Sequence, residues 1–289
     1  MPQAKIGIIG GSGLYEIEGF HDVREVNIET PFGKPSDAIT VGILEGVDVA
    51  FLPRHGRGHR ISPTDIPVRA NIYALKSLGV DSIISISAVG SFKEEIHPMD
   101  LVIPDQLIDR SQNRVNTFFG KGIVVHAPFA HPFCPVLSSI LYQSALETGV
   151  RVHKGGSWVV IEGPQFSTRA ESELYRSWGA SIVGMTALPE ARIAREAEIC
   201  YAALACVTDY DCWHSAHESV TIEMIIANLL KNVGTAKEII RKVANRIPET
   251  RKCDCPSALK NAIVTSRDKI PAHLKQKMAL LIGKYIPYS

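Results

Sequence analysis

Short apolar runs alternate along this chain with longer segments in which apolar residues recur at helical spacing. The short runs are rich in Ile and Val, and Gly or Pro punctuates many of their ends, which is typical of strands. Several are apolar at consecutive positions, as expected for strands that are covered on both faces. The pattern predicts strands at 5–9, 38–44, 47–52, 82–87, 101–103, 158–161, 181–184 and 201–207.

The longer segments predict helices, and two of them carry a proline that suits a first helical turn, Pro135 and Pro189. The expected helices span 68–77, 135–148, 169–178, 189–197, 222–245 and 272–284. Alternating strands and helices favour an α/β sandwich, and the pair of strands at 38–52 resembles a hairpin, which implies a mixed sheet. We predict a single α/β domain over residues 1–289, with a central mixed β-sheet flanked by helices and a C-terminal helical segment from about 256.

The composition is that of an ordinary globular protein and argues against two classes of partner. The 289 residues are 45% apolar and 21% charged, with a net charge of +1. Nucleic acids and anionic membranes attract concentrated positive charge, which this chain lacks. No apolar run reaches the roughly 18 residues of a membrane helix, and the N-terminus lacks the pattern of a secretory signal. We expect a cytoplasmic protein with no nucleic-acid or membrane partner.

A glycine-rich turn follows the first predicted strand. Residues 7–14 read Gly-Ile-Ile-Gly-Gly-Ser-Gly-Leu, which begins as a dinucleotide-binding fingerprint does. The three-glycine spacing of that fingerprint is absent, and no acidic residue follows a second strand at the expected place. A dinucleotide-binding oxidoreductase therefore stays as an alternative from another functional class.

Two of the six cysteines, Cys253 and Cys255, are separated by a single residue near the C-terminus. They would suit half of a zinc site, but no second pair follows at a sensible spacing. A disulfide between residues two apart would be strained. We therefore expect two thiols in a C-terminal loop and no metal.

Polar side chains follow or close several predicted strands. In an α/β sheet, ligands gather at the carboxyl ends of the strands. Hydroxyls, an arginine fork and an imidazole together suit a tetrahedral oxyanion, while clustered carboxylates suit a base with donor and acceptor edges. The residues in these positions are Ser12, Arg54, His55, Ser87, Thr186, Thr208, Asp209 and Asp211.

Nine stretches of the chain carry a resemblance to a known family. They lie in family order over roughly the first 225 residues, at 7–14, 30–37, 54–56, 88–91, 132–135, 161–172, 184–186, 189–190 and 208–213. With these stretches the chain closely resembles the nucleoside phosphorylase superfamily and, within it, the 5′-deoxy-5′-methylthioadenosine phosphorylases.

The resemblance implies a pentosyltransferase of purine and methionine salvage. Such an enzyme would use inorganic phosphate as co-substrate to convert S-methyl-5′-thioadenosine into adenine and 5-methylthio-α-D-ribose 1-phosphate. A broader or 6-oxopurine nucleoside phosphorylase is the alternative within the family. The family uses no metal and no organic cofactor, and it forms homotrimers or hexamers made from trimers.

The resemblance also implies roles for individual residues. Phosphate would be bound by Ser12, Arg54, His55, Ser87 and Thr186, and the ribose and base would be lined by Ala88, Phe166, Ser167 and Met185. Asp209 and Asp211 would contact the purine, and Ile222 and Ile225 would contact the 5′ substituent. His126 would reach the site of a neighbouring subunit.

Two positions imply a preference for 6-aminopurines. Relatives that prefer 6-oxopurines carry Glu where this chain has Ser167 and Asn where it has Asp209. A protonated Asp209 would donate to N7 of the leaving base and is therefore the expected catalytic residue. Its pKa would rise through burial or through a neighbouring negative charge, such as that of Asp211 or phosphate.

Overall fold

A computed structural model gives the fold and describes residues 3–11, 14, 17–214 and 222–287. The strands assigned in this part of the chain are β1 (Ile6–Gly10), β2 (His21–Val26), β3 (Ile39–Leu44), β4 (Val47–Pro53), β5 (Ser82–Ser91), β6 (Leu101–Ile103), β7 (Gln106–Arg110), β8 (Val152–Lys154), β9 (Ser157–Ile161), β10 (Ile182–Gly184) and β11 (Cys200–Asp209). The helices are α1 (Val68–Ser77), α2 (Pro135–Leu146), α3 (Arg169–Ser177), α4 (Ala187–Glu196), α5 (Ile222–Ala244), α6 (Ala272–Lys277) and α7 (Ala279–Ile282).

The strands form one mixed sheet that branches at β5. Its main path runs β2-β3-β4-β1-β5-β10-β9-β7, and β11 leaves this path by pairing with β5 and β6. Strand β5 lies parallel to β11 along most of its length and parallel to β1 over its first four residues, whereas its last two residues pair antiparallel with β10. The predicted mixed sheet flanked by helices is confirmed.

Helices cover both faces of the sheet and close two apolar clusters. One cluster contains buried residues of α1 and α4, and the other contains buried residues of α2 and α5. Between them, all ten residues of β11 are buried, which explains why that strand is apolar at consecutive positions. No helix in the described part of the chain has both the length and the apolar character to cross a membrane.

The predicted elements differ from the observed ones mainly at the sheet edges. Strand β2 is almost wholly exposed, so its sequence lacks the alternation that marks a half-buried strand. The predicted helix at 272–284 is wrong as one element, since it divides into α6 and α7 at Met278. Strand β5 continues to Ser91 because it first follows β11 and then pairs with β10. Ser87 therefore lies inside the strand and does not close it.

The segment after α5 is fastened to the domain by a buried carboxylate. Glu198 is 3% exposed and accepts hydrogen bonds from the Leu259 amide at 2.9 Å and the Tyr285 hydroxyl at 2.6 Å. It also forms an ion pair with Lys284. Because hydrogen bonds to charged groups are stronger than neutral ones, these contacts hold the C-terminal segment against the amino end of β11.

Candidate active site

The register of the sheet brings the carboxyl ends of four parallel strands to one edge. Gly10 at the end of β1 pairs with Pro53 of β4, and the backbone N–H of Arg54 donates to the Gly10 carbonyl at 2.9 Å. Asp209, the last residue of β11, pairs with Gly90 of β5. The segments that the sequence singled out therefore meet at this edge.

Two hydroxyls predicted to bind phosphate lie in contact here. The Ser87 and Thr186 hydroxyls are hydrogen-bonded at 2.8 Å. Ser87 is buried within β5, and Thr186 is the residue that precedes α4, where its side chain makes no capping hydrogen bond. The adjacent Ala88 is the one residue of β5 that is not fully buried. This part of β5 thus reaches the surface beside the hydroxyl pair.

Arg54 is buried in an ion pair that the sequence did not predict. Its side chain is 3% exposed, and that of Glu190 in α4 is 2% exposed. The guanidinium donates from Nε and Nη2 to the two Glu190 carboxylate oxygens, at 3.0 and 3.1 Å. It also donates to the Ile86 carbonyl at 2.9 Å, the Ile9 carbonyl at 3.3 Å and the Ser85 hydroxyl at 2.6 Å.

These contacts change the role expected of Arg54. A guanidinium has five N–H donors in a fixed fork, and the forked pair that would grip phosphate is taken up by Glu190. One Nη1 hydrogen keeps no acceptor among the described residues. A two-pronged contact from Arg54 to phosphate therefore does not fit this arrangement, while a single contact through Nη1 does.

The Glu190 carboxylate is satisfied on every side. Besides Arg54 it accepts hydrogen bonds from the Ser85 hydroxyl at 2.7 Å and the Tyr201 hydroxyl at 2.8 Å. Burial and the Glu190 charge raise the pKa of Tyr201 well above its usual value, so the phenol stays a donor. The sequence shows Glu190 directly after Pro189, but nothing near it identifies Arg54 as its partner, because the two residues lie far apart in the sequence.

His55 faces this region as a neutral imidazole. Burial and the nearby Arg54 charge lower the pKa of His55 to about 4. Its Nδ1–H donates to the Ile61 carbonyl at 2.9 Å, which leaves Nε2 unprotonated in the neutral ring. This histidine can therefore accept a hydrogen bond through Nε2 near neutral pH.

A buried carboxyl, Asp209, ends β11, and a partly buried one, Asp211, follows two residues later. Burial raises the pKa of Asp209, although the Thr208 hydroxyl and the Asp211 backbone N–H donate to it at 2.7 and 2.8 Å. Burial, with a further contribution from the Asp209 charge, raises the pKa of Asp211 to about 6. The carboxyl of Asp209 lies so close to Gly90 that a Cβ there would come within 2.8 Å of its Oδ1.

The loop after Asp209 is held by polar contacts to the strands beside it. The Thr208 hydroxyl donates to the Val89 carbonyl at 3.2 Å, and the Asn228 amide of α5 donates to the Thr208 carbonyl at 2.8 Å. Trp213 donates from its indole to the Ser91 carbonyl at 2.7 Å. The first two bonds hold β11 just before Asp209, and the third holds the segment that follows it.

The residues expected to line the sugar and base differ in environment. Phe166 is 49% exposed, which does not suit a core residue. Ser167 presents a buried hydroxyl that has no hydrogen-bond partner among the described residues. Met185 packs against Gly163, where a Cβ would come within 2.5 Å of its sulfur. Ser167 and Phe166 are neighbours in sequence, and the exposed aromatic ring of Phe166 suits contact with a planar ligand.

Arg114 organises this lining and was missed by sequence reasoning. Its guanidinium donates to the carbonyls of Met185, Leu188, Ile161 and Glu162. It thereby joins the end of β9 to the turn that leads into α4. Nothing in the local sequence around Arg114 identifies carbonyls so far along the chain as its partners.

Three of the remaining candidates cannot be placed in the site. Ser12 and the side chains of Ile222 and Ile225 lie outside the described residues. The His126 side chain is exposed, and its backbone N–H donates to the Ala262 carbonyl at 2.9 Å. It is therefore accessible to a neighbouring molecule.

Metal-ligating side chains converge elsewhere in the described part of the chain. The sulfurs of Cys134, Cys200, Cys253 and Cys255 all lie within 4.8 Å of one another. Cys200 is the first residue of β11 and Asp209 the last, so the cysteines and the carboxyls lie roughly 30 Å apart along the strand. The expectation that Cys253 and Cys255 lack matching thiols is wrong, because the fold brings two distant cysteines to them.

Comparison with known proteins assigns this chain to a family. The profile of the phosphorylase superfamily matches residues 5–245. A relative from Geobacter sulfurreducens, an S-methyl-5′-thioadenosine phosphorylase, is 57% identical over 97% of this chain and 99% of its own. The crystal structure of a methylthioadenosine phosphorylase from an Antarctic soil metagenomic library superposes with a TM-score of 0.93, at 49% identity over 97% of this chain and 99% of that one.

A second solved structure is more distant in sequence. The methylthioadenosine phosphorylase of Schistosoma mansoni in complex with adenine superposes with a TM-score of 0.84. It is 39% identical, over 89% of this chain and 96% of that one.

The buried ion pair yields a stability prediction. Arg54→Ala and Glu190→Ala should each lower the free energy of unfolding by about 3–5 kcal/mol, because either change leaves an unpaired buried charge. The double variant should lose much less than the sum. Denaturant unfolding of the four proteins measures the coupling, and the exposed pair of Arg241 with Glu45, expected to couple by about 0.2–1 kcal/mol, is the control. Additive losses of stability at Arg54 and Glu190 would contradict the conclusion that the two residues form a buried ion pair.

Proposed function

Because this chain belongs to the phosphorylase superfamily, we propose that it cleaves S-methyl-5′-thioadenosine with inorganic phosphate. The products are adenine and 5-methylthio-α-D-ribose 1-phosphate. Similarity to a methylthioadenosine phosphorylase over nearly the whole of both chains supports this substrate, and adenine in a related structure supports the base. Family membership removes the oxidoreductase alternative.

One observation carries the proposal: a buried carboxyl of raised pKa, Asp209, shares a sheet edge with the hydroxyl pair of Ser87 and Thr186. Phosphorolysis needs an anion on one side of the glycosidic bond and a proton donor at the base on the other. The hydroxyls can donate to the anion, and a protonated Asp209 can donate to the base.

Phosphate would be held mainly by neutral donors. One hydroxyl of the Ser87–Thr186 pair donates to the other, so both can donate to phosphate once phosphate replaces that mutual hydrogen bond. The Nη1 hydrogen of Arg54 that has no acceptor among the described residues can donate one more. Neutral His55 can accept a hydrogen bond through Nε2 from a protonated phosphate oxygen. Because phosphate is fixed beside the sugar, its attack avoids the entropic cost of an encounter in solution.

The sugar would pass through a cationic, oxocarbenium-like state. Phosphate attacks C1′ from the face opposite the departing base, so the configuration at C1′ inverts. The negative charge of phosphate stabilises the developing positive charge of the sugar. The C1′–N9 bond breaks as the C1′–O bond to phosphate forms.

The leaving base needs a proton at N7, which Asp209 would supply. Protonation makes adenine a neutral leaving group in place of an anion. Burial holds Asp209 in the acid form to a higher pH than an exposed aspartate, and Asp211 offers an acceptor to the 6-amino group. Ser167 would face the same base with its unpartnered hydroxyl.

The reaction is tested by following release of free base from methylthioadenosine, adenosine and inosine, each with and without phosphate. We expect release to depend on phosphate and to be most efficient with methylthioadenosine. The family resemblance implies that Ile222 and Ile225 face the 5′ substituent, and apolar side chains there would leave a 5′-hydroxyl unpaired at a cost of about 1–3 kcal/mol. Release in phosphate-free buffer would indicate a nucleosidase. Equal efficiency with all three nucleosides would contradict the proposed substrate.

Asp209→Asn should keep the fold but lose most adenine release, because an amide cannot transfer a proton to N7. In the parent protein kcat/KM should fall as pH rises through the raised pKa of Asp209, since the acid form is the active one. This dependence should disappear in the variant, whose relative preference should shift toward inosine. Asp105→Asn, at a turn outside the site, serves as the matched control. Unchanged cleavage of methylthioadenosine by Asp209→Asn would remove Asp209 as the proton donor.

We further propose that the protein assembles as a trimer or as a hexamer of trimers. His126 is exposed in the isolated chain, and its position in the family reaches a neighbouring subunit's site. Sedimentation should find trimers or hexamers, and any monomer fraction should lack activity when assayed. His126→Ala should raise KM for the nucleoside more than it lowers kcat. A fully active monomer would contradict this arrangement.

A further inference from the structure

We propose that Cys134, Cys200, Cys253 and Cys255 bind one zinc ion as a tetrathiolate, at the end of β11 opposite the nucleoside site. All four sulfurs lie within 4.8 Å of one another, and those of Cys200 and Cys253 are 3.4 Å apart. This inference does not depend on the proposed reaction, because no nucleoside or phosphate ligand takes part.

The spacing of the sulfurs suits a tetrahedral ion. Zinc–sulfur bonds of about 2.3 Å at tetrahedral angles place neighbouring sulfurs about 3.8 Å apart. The Cys200–Cys253 separation is slightly below that value and far above the roughly 2.05 Å of a disulfide. This pair would move slightly apart on zinc binding, and any pair of sulfurs farther apart than 3.8 Å, up to the 4.8 Å limit, would move together.

The ligands come from three separate parts of the fold. Cys134 precedes the first turn of α2, Cys200 begins β11, and Cys253 and Cys255 lie in the segment after α5. Structural zinc sites commonly use four protein ligands that include a closely spaced cysteine pair. Here the second pair is assembled by the fold.

The surroundings suit the charge of a zinc tetrathiolate. When zinc binds, the four thiols release their protons to solvent, and the resulting centre carries a net charge of −2. The Arg195 guanidinium lies 3.7 Å from the Cys255 sulfur, and its other nitrogen donates to the His131 carbonyl at 2.6 Å, which fixes its direction.

The site would fasten the C-terminal segment to the domain core. Cys134, Cys200 and Cys255 are buried in the apolar cluster that α2 and α5 share. Bound zinc would join this cluster to the segment that Glu198 also holds. Because the ion binds the folded arrangement, its binding free energy adds to the stability of the fold.

The first test measures metal in the full-length protein, purified with a phosphine reductant and without chelator. We expect one zinc ion per chain, and close to none in Cys253→Ser. Cys206 is a buried cysteine of β11 that is not one of the four proposed ligands, so Cys206→Ala should keep its zinc. Equal zinc in the parent and in Cys253→Ser, or a parent that takes up no zinc on reconstitution, would overturn the proposal. Disulfides between the four residues in the reduced preparation would overturn it as well.

The second test leaves all four cysteines in place. Replacing zinc by cobalt in the parent should give the visible absorption of tetrahedral cobalt and the charge-transfer bands of thiolate ligands. Removing the metal with a chelator should lower Tm, and restoring zinc should raise it again. Arg195→Ala should weaken zinc binding by about 10–100-fold in a chelator competition. A cobalt spectrum without thiolate bands would overturn the proposal.

Discussion

The candidate active site depends on a charge that is taken out of water. A guanidinium buried to 3% exposure must be paired, and Glu190 is the carboxylate that pairs it. The pair also contacts the Ser85 and Tyr201 hydroxyls and the carbonyls of β1 and β5. It therefore joins strands β1, β4, β5 and β11 to α4 at the edge where the ligand groups stand. The geometry of Ser87, Thr186 and His55 follows from this connection.

Strand β11 links two chemically different ends of the molecule. Its carboxyl end places Asp209 in the candidate active site, and its amino end places Cys200 in the group of four cysteines. Every residue between them is buried, so the strand is held on both faces. The two ends lie roughly 30 Å apart along the strand, beyond the about 7–10 Å within which mutational effects usually couple, so we expect substitutions at the two ends to act independently.

The sequence predicted the central elements because buried strands have an apolar signature. Strands β4 and β11 were located to within two residues at each end, whereas the exposed β2 carries no such signature. The grouping of Ser87 with Thr186 followed from the rule that ligands gather at carboxyl ends of strands. The partner of Arg54 could not be predicted, since burial of a charge is a tertiary property. The cysteine cluster was missed for a related reason: Cys134 and Cys200 lie far from Cys253 in the sequence.

The most direct test of the account is a crystal structure with a non-cleavable methylthioadenosine analogue and phosphate bound together. The account predicts phosphate within hydrogen-bond distance of both the Ser87 and Thr186 hydroxyls, on the face of the sugar opposite the base. It also predicts N7 of the purine within hydrogen-bond distance of Asp209, with the Arg54–Glu190 pair intact. A purine whose N7 lies away from Asp209, or phosphate bound outside the hydroxyl pair, would contradict it.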